Sequence, residues 1–232
     1  MKNYTFKKVD EKLTLDSPVW NDVEKATLDN DNFCGENAEK ITVTAQGVCT
    51  KYGITVKFES DEKNPVIKYS HANQPAWTDS CVEFFLAPYP DEKGNYLNFE
   101  QSLGGALLLQ KGPNAADRTY IPHSDEFFET EKHIDENGWK IKFFIPFSFI
   151  DKHFVTMNKK FRGNFQFCCE DKNVYLTWNR IENPFPAFHK PEYFGEMTLD
   201  MSVLDRMTAE CIKYGYNVFE MCEMTENGVD DR

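Results

Sequence analysis

Apolar and polar residues alternate along this chain in short runs broken by turn residues. In Ile54-Thr-Val-Lys-Phe58, the residues Ile54, Val56 and Phe58 share one face of an extended segment. Cys81-Val-Glu-Phe-Phe-Leu86 is strongly apolar and interrupted only by Glu83. Tyr96-Leu-Asn-Phe-Glu100 puts Leu97 and Phe99 on one side and Tyr96, Asn98 and Glu100 on the other. Trp139, Ile141, Phe143 and Ile145 are again in register, and Ala106–Leu109, Asn164–Cys168 and Val174–Trp178 read as further strands. Pro88–Gly94 reads as a loop and Gly104-Gly105 as a bend. Many short segments of period two predict an all-β sandwich or barrel over residues 1–200. Helical signals are sparse there, with one turn expected over Phe147–His153 after Pro146. The pattern changes after residue 200. Val203, Leu204, Met207, Cys211 and Ile212 recur at helical spacing. They predict an amphipathic helix opening near Ser202 and ending at Gly215, so residues 201–232 read as a helical extension with a disordered tail.

Composition supports a folded core, because hydrophobic residues make up 41% of the 232 and charged residues 28%. The 20 Phe, 10 Tyr and 4 Trp suit packing across pleated sheets and also supply flat platforms for ligands. The formal net charge is −12, and no basic run is longer than Lys7-Lys8 or Lys159-Lys160. Nucleic acid and anionic membranes are therefore excluded as expected partners, whereas a neutral ligand or a cation such as Ca²⁺ fits. No apolar stretch approaches the roughly 20 residues of a membrane helix. The start, Met1–Phe6, lacks the apolar stretch of a secretory signal. The expectation is a cytoplasmic protein as written, or a secreted one if a signal has been removed. The seven cysteines form no CxxC pair and read mostly as reduced, small apolar residues. On a strand, Cys168 and Cys169 would face opposite ways.

Several stretches resemble the family 9 carbohydrate-binding modules, within the wider DOMON-like superfamily. They are Pro18-Val-Trp20, Trp77-Thr-Asp-Ser-Cys-Val-Glu-Phe-Phe-Leu86, Gly138–Pro146 with its Ile-Pro ending, Asn164–Cys168 followed by Leu176-Thr-Trp178, and Pro186-Ala-Phe-His-Lys-Pro-Glu-Tyr-Phe-Gly195 before Glu196–Leu199. They occur in family order and span about residues 15 to 200. The resemblance implies an antiparallel β-sandwich, immunoglobulin-like or jelly-roll-like, with a short C-terminal helical appendage. It implies lectin-like, non-catalytic binding of a mono- or oligosaccharide, of the xylan or cellulose kind, between two Trp rings. A structural Ca²⁺ also goes with the family.

A pyranose offers an apolar C–H face and a rim of hydroxyls, so a ring covers the face and carboxylates or amides take the rim. Trp77, in polar loop chemistry beside Asp79, and Trp178, ahead of Asn179-Arg180, are the candidate rings. Trp20 and Trp139 are assigned to the core. Glu83 is expected to reach the sugar beside Trp77. Asn98 and Glu100, with Tyr96, would complete a polar floor if their strand neighbours that of Glu83. Asn179 and Arg180 are further candidates, and either Arg180 or Arg118 would add a bidentate donor. His189 reads as structural. Asp29 and Asp31, in Asp29-Asn-Asp-Asn32, carry oxygen ligands suited to calcium without the full spacing of an EF-hand. Competing readings are a glycoside hydrolase built on two carboxylates, a haem-binding domain using His71, His123 or Met157, and a ligand-free scaffold docking a partner or another copy through the C-terminal helix.

Overall fold

The computed structural model describes residues 1–88, 95–154 and 157–201. The C-terminal helix expected from Ser202 onward, and most of the Pro88–Gly94 loop, lie outside these residues. The strands are β1 (Asn3–Lys8), β2 (Ala26–Thr27), β3 (Val43–Thr50), β4 (Gly53–Ser60), β5 (Cys81–Ala87), β6 (Tyr96–Ser102), β7 (Leu107–Gly112), β8 (Thr119–Tyr120), β9 (Glu131–Asp135), β10 (Gly138–Pro146), β11 (Lys160–Cys169), β12 (Val174–Thr177) and β13 (Gly195–Leu199). Among the described residues one α-helix, α1 (Phe147–His153), follows Pro146 at the expected place.

The strands form one continuous path in the order β8-β7-β6-β5-β11-β13-β1-β3-β4-β10-β9, with β12 on β11 and β2 on β3. The expectation of an antiparallel sandwich needs correction, because the sheet is mixed. Strand β1 runs parallel to β13 from Asn3↔Glu196 to Phe6↔Leu199. Its last residues then run parallel to β3 at Lys7↔Val48 and Lys8↔Cys49. Neither β1 nor β3 was anticipated as a strand. The other pairings are antiparallel, most of them hairpins between consecutive segments.

The path curls so that its two arms share one core. Ring contacts join them: Phe58 to Phe165 at 5.9 Å, Phe99 to Phe143 at 6.1 Å and Trp139 to Phe167 at 6.0 Å. These rings come from the faces that the period-two pattern made apolar, including Ile54, Val56, Leu97, Ile141 and Ile145. At the seam, the Phe6 ring of β1 lies over β3 so closely that a Cβ on Gly47 would come within 2.4 Å of it. Trp20 and Trp139 are buried as expected. The Trp139 indole donates to Glu62 Oε2 at 2.9 Å, and Glu62 Oε1 accepts from Lys172 Nζ at 2.6 Å and Ser80 Oγ at 2.9 Å. The five cysteines among the described residues are free, and Cys168 and Cys169 enter different apolar clusters. No helix among the described residues is long and apolar enough to cross a membrane.

A smaller apolar cluster lies on the other side of β5, β6, β7 and β11. It contains Cys81, Phe85, Tyr96, Leu108 and Cys168, and Ile181, Phe188 and Phe194 from the closing segment pack onto it. That closing segment leaves part of the sheet face open, and the opening is the cleft described next.

Candidate functional site

Alternation along β5 and β6 sends Phe84, Leu86, Leu97 and Phe99 into the main core and turns Glu83, Asn98 and Glu100 the other way. The two strands are adjacent and antiparallel, with Glu83 directly opposite Glu100. Side chains of such a pair stand about 5 Å apart at Cβ. Two carboxyl groups are thus placed side by side on the floor of a cleft of about 290 Å³. Its walls include the rings of Trp77, Tyr120, Tyr175 and Phe188, with Gln110, Arg118, Cys168 and His189 among the polar groups. That volume sits near the lower end of small-molecule pockets, which start at roughly 300 Å³.

Both acids are nearly inaccessible, at 3% exposure each. Burial holds Glu83 well above the usual carboxylate range, and the neighbouring Glu100 charge adds to this. The Cys168 thiol donates to Glu83 Oε1 at 2.9 Å and Gln166 Nε2 to Oε2 at 3.3 Å, which offset part of the rise. Glu100 is pushed up to about 7 by burial, against the pull of Arg118 and an Asn98 hydrogen bond of 2.9 Å. Arg118 Nη1 lies 3.8 Å from Glu100 Oε1. The same nitrogen donates to His189 Nε2 at 2.6 Å. A guanidinium has only donors, so Nε2 accepts and the ring proton sits on Nδ1, 2.8 Å from the Tyr96 hydroxyl. Burial and then Arg118 drive the His189 pKa down to about 3, so the imidazole is neutral near pH 7. It lies against Phe85, ring centroids 4.8 Å apart. The cleft therefore offers ring faces together with fixed donors and acceptors.

Of the residues expected at the site, Trp77, Glu83 and Glu100 line the cleft. Trp77 stands on a short 3₁₀ turn, Ala76–Thr78, and is 38% exposed. Asn98 lies beneath, bonded to Glu100. Trp178 does not reach the cleft. It is 4% exposed and belongs to the main core, against Phe165 at 5.7 Å and Tyr4 at 6.2 Å. The cause is strand parity, because Val174, Leu176 and Trp178 share the core side while Tyr175 faces outward. Asn179 is also structural. It exchanges hydrogen bonds with Asn164, donates to Tyr193 O at 2.6 Å, and accepts from the Lys2 backbone at 2.8 Å. Arg180 pairs with Glu182 at 2.7 Å on the surface, so Arg118 is the basic side chain in the cleft. His189, Tyr120, Tyr175, Gln110 and Phe188 were not among the expected binding residues.

Asp29 meets Lys2 Nζ at 2.5 Å, and Asp31 uses its backbone carbonyl to hold Cys34 N at 2.9 Å. Among the described residues, the group of three metal-ligating side chains that converges is Cys81, Glu83 and Cys168. Of the haem-ligand candidates, His71 is exposed beside Asp125, His123 bonds the Ile121 carbonyl, and Met157 is in the core.

A family model described as "Carbohydrate-binding family 9" matches residues 7–199. No curated protein sequence matches the chain significantly. Among solved structures, a protein of Bacteroides uniformis provisionally assigned as carbohydrate-binding is 24% identical, with a TM-score of 0.71 over 86% of this chain and 99% of that one. A family 9 carbohydrate-binding module of Caldicellulosiruptor kristjanssonii, solved with glucose, is 14% identical with a TM-score of 0.57, covering 87% of this chain and 97% of its own. The cellotriose complex from the same organism gives 14% and 0.58, covering 87% and 95%. At these identities, the structures support the shared fold.

Proposed function

This chain belongs to carbohydrate-binding family 9, and from that premise we propose that it binds a mono- or oligosaccharide, without cleaving it, in the cleft above Glu83 and Glu100. The observation that carries the reading is the combination in one cleft of exposed aromatic faces with a buried, hydrogen-bonding acid pair. Trp77 would cover the apolar face of a pyranose, with Tyr120, Tyr175 and Phe188 supplying the other aromatic walls. Glu83 and Glu100 would take ring hydroxyls, and Arg118 would donate to them. The related modules solved with glucose and with cellotriose support a glucose-type ligand as the first to try.

The test is a titration of intrinsic fluorescence with glucose, xylose and cellotriose, with Trp77→Ala and Glu83→Gln alongside. We expect a saturable change in the wild type that weakens at least tenfold in both variants. A flat response from folded wild type across the sugars would reject the reading.

The acid pair also bears on a hydrolytic reading, since raised carboxyl pKa values are a mark of glycosidases. Hydrolysis needs the acids to flank the scissile bond, and here they stand side by side on one floor. Release of product from a labelled oligosaccharide, abolished in Glu83→Gln, would favour hydrolysis over binding.

A further inference from the structure

Cys81 and Cys168 occupy directly opposed positions on β5 and β11, both turned to the cleft side of the sheet. Glu83 projects beside them from the same face of β5. The two sulfurs and one Glu83 oxygen lie within 4.8 Å of one another, and all three residues are buried. Of the other buried acids, Glu62 meets Lys172 at 2.6 Å and Glu100 has Arg118 at 3.8 Å, while Asp79 accepts from the backbone N–H groups of Lys68 and Tyr69. Glu83 has no ion pair with a basic side chain among the described residues. Its partners are a thiol and an amide.

We propose that Cys81 Sγ, Cys168 Sγ and a Glu83 carboxylate oxygen form a site for a thiophilic divalent cation of the Zn²⁺ class at the base of the cleft. Two thiolates and one carboxylate are a donor set that favours zinc over magnesium or calcium. Tetrahedral zinc holds its donors about 3.5–3.8 Å apart. The present cluster therefore needs only small side-chain movements, and Cys168 Sγ already sits 2.9 Å from Glu83 Oε1. As the metal binds, the two thiols and the carboxyl release their protons to solvent, and no oxidant or reductant takes part. Three protein donors leave a fourth position. It faces the cleft, because Glu83 and Cys168 line the cleft wall while Cys81 lies behind them. The metal would share Glu83 with the sugar cleft, yet its binding does not require a sugar.

The test uses the full reduced chain, stripped of metal and titrated with Cd²⁺ and then with competing Zn²⁺. The readout is thiolate-to-metal charge-transfer absorption. One equivalent of Cd²⁺ should produce the absorption of two thiolates, displaced by Zn²⁺ and lost in Cys168→Ser and in Cys81→Ser. Cys34→Ser and the double variant Cys211→Ser/Cys222→Ser should keep it. X-ray absorption of the zinc-loaded wild type should count two sulfur neighbours, which protects the test if a buried serine prevents folding. Absence of the band in the wild type, its survival in folded Cys168→Ser, or a sulfur count other than two would overturn the proposal.

Discussion

Replacing Glu100 by glutamine should stabilise the metal-free protein, and increasingly so as the pH rises. Glu100 is 3% exposed and faces Glu83, Arg118, His189 and Asn98, with Tyr96 and Cys81 near it. Its carboxyl titrates at about 7 in the fold, against 4.5 when unperturbed. Folded protein therefore keeps a proton that unfolded chain gives up between those values. Stability is lost as pH rises through that window, and the loss is complete above about 7. One pKa unit is worth roughly 1.4 kcal/mol, so the full penalty is about 3 kcal/mol. The glutamine of Glu100→Gln cannot ionise, and its amide oxygen can still accept from Asn98. The stability difference between variant and wild type should accordingly grow by about 3 kcal/mol from pH 4 to pH 8. The variant also removes the Glu100 charge that helps to raise Glu83, and this acts in the same direction, relieving the variant further at high pH. Urea unfolding at four or five pH values, with chelator present, measures it. A difference that stays level with pH would refute the reasoning. A difference that shifts towards destabilisation as pH rises would mean that Glu100 is ionised and held by Arg118.

Trp178→Ala should cost roughly 3–5 kcal/mol in unfolding experiments, as for other buried aromatic truncations, while the folded fraction keeps its sugar response. Glu62→Ala should cost about 1–3 kcal/mol, read from the thermal midpoint, by leaving the buried Trp139 indole unpaired, while Lys172 keeps Glu39 at 3.1 Å and the Asn64 carbonyl at 2.7 Å. Gly195→Ala should cost about 1–3 kcal/mol by overpacking, because its Cβ would fall 2.4 Å from the Trp178 ring. The cost should shrink when Gly195→Ala is made in a Trp178→Leu background, and an unchanged cost would place the strain elsewhere.

The alternation of apolar residues made most strands of the two arms legible, since a face that must be buried imposes period two. It also separated Glu83, Asn98 and Glu100 from the core residues between them. Their meeting at one floor depended on β5 and β6 being neighbours, which the short loop between them favours. Trp178 shares the parity of Val174 and Leu176, a core signal within the sequence itself, and Tyr175 has the parity of the cleft wall. Arg118 and His189 reach the site from separate loops, so no local spacing reveals that they touch. Strand β1 carries the Tyr4 and Phe6 alternation, yet a parallel partner so distant in sequence leaves no local mark.

The position of β1 between β13 and β3 has a consequence for how the chain is made. Hairpins such as β3–β4 and β5–β6 can pair as soon as they leave the ribosome. Strand β1 emerges first, but its β13 partner comes only after nearly all of the described chain. Such long-range parallel pairing closes late and folds slowly. Until then, the unpaired edges of β1 and β11 are open to other chains. A nascent chain stalled before Gly195 should therefore be the species most in need of a chaperone, with both arms formed and no clasp to join them.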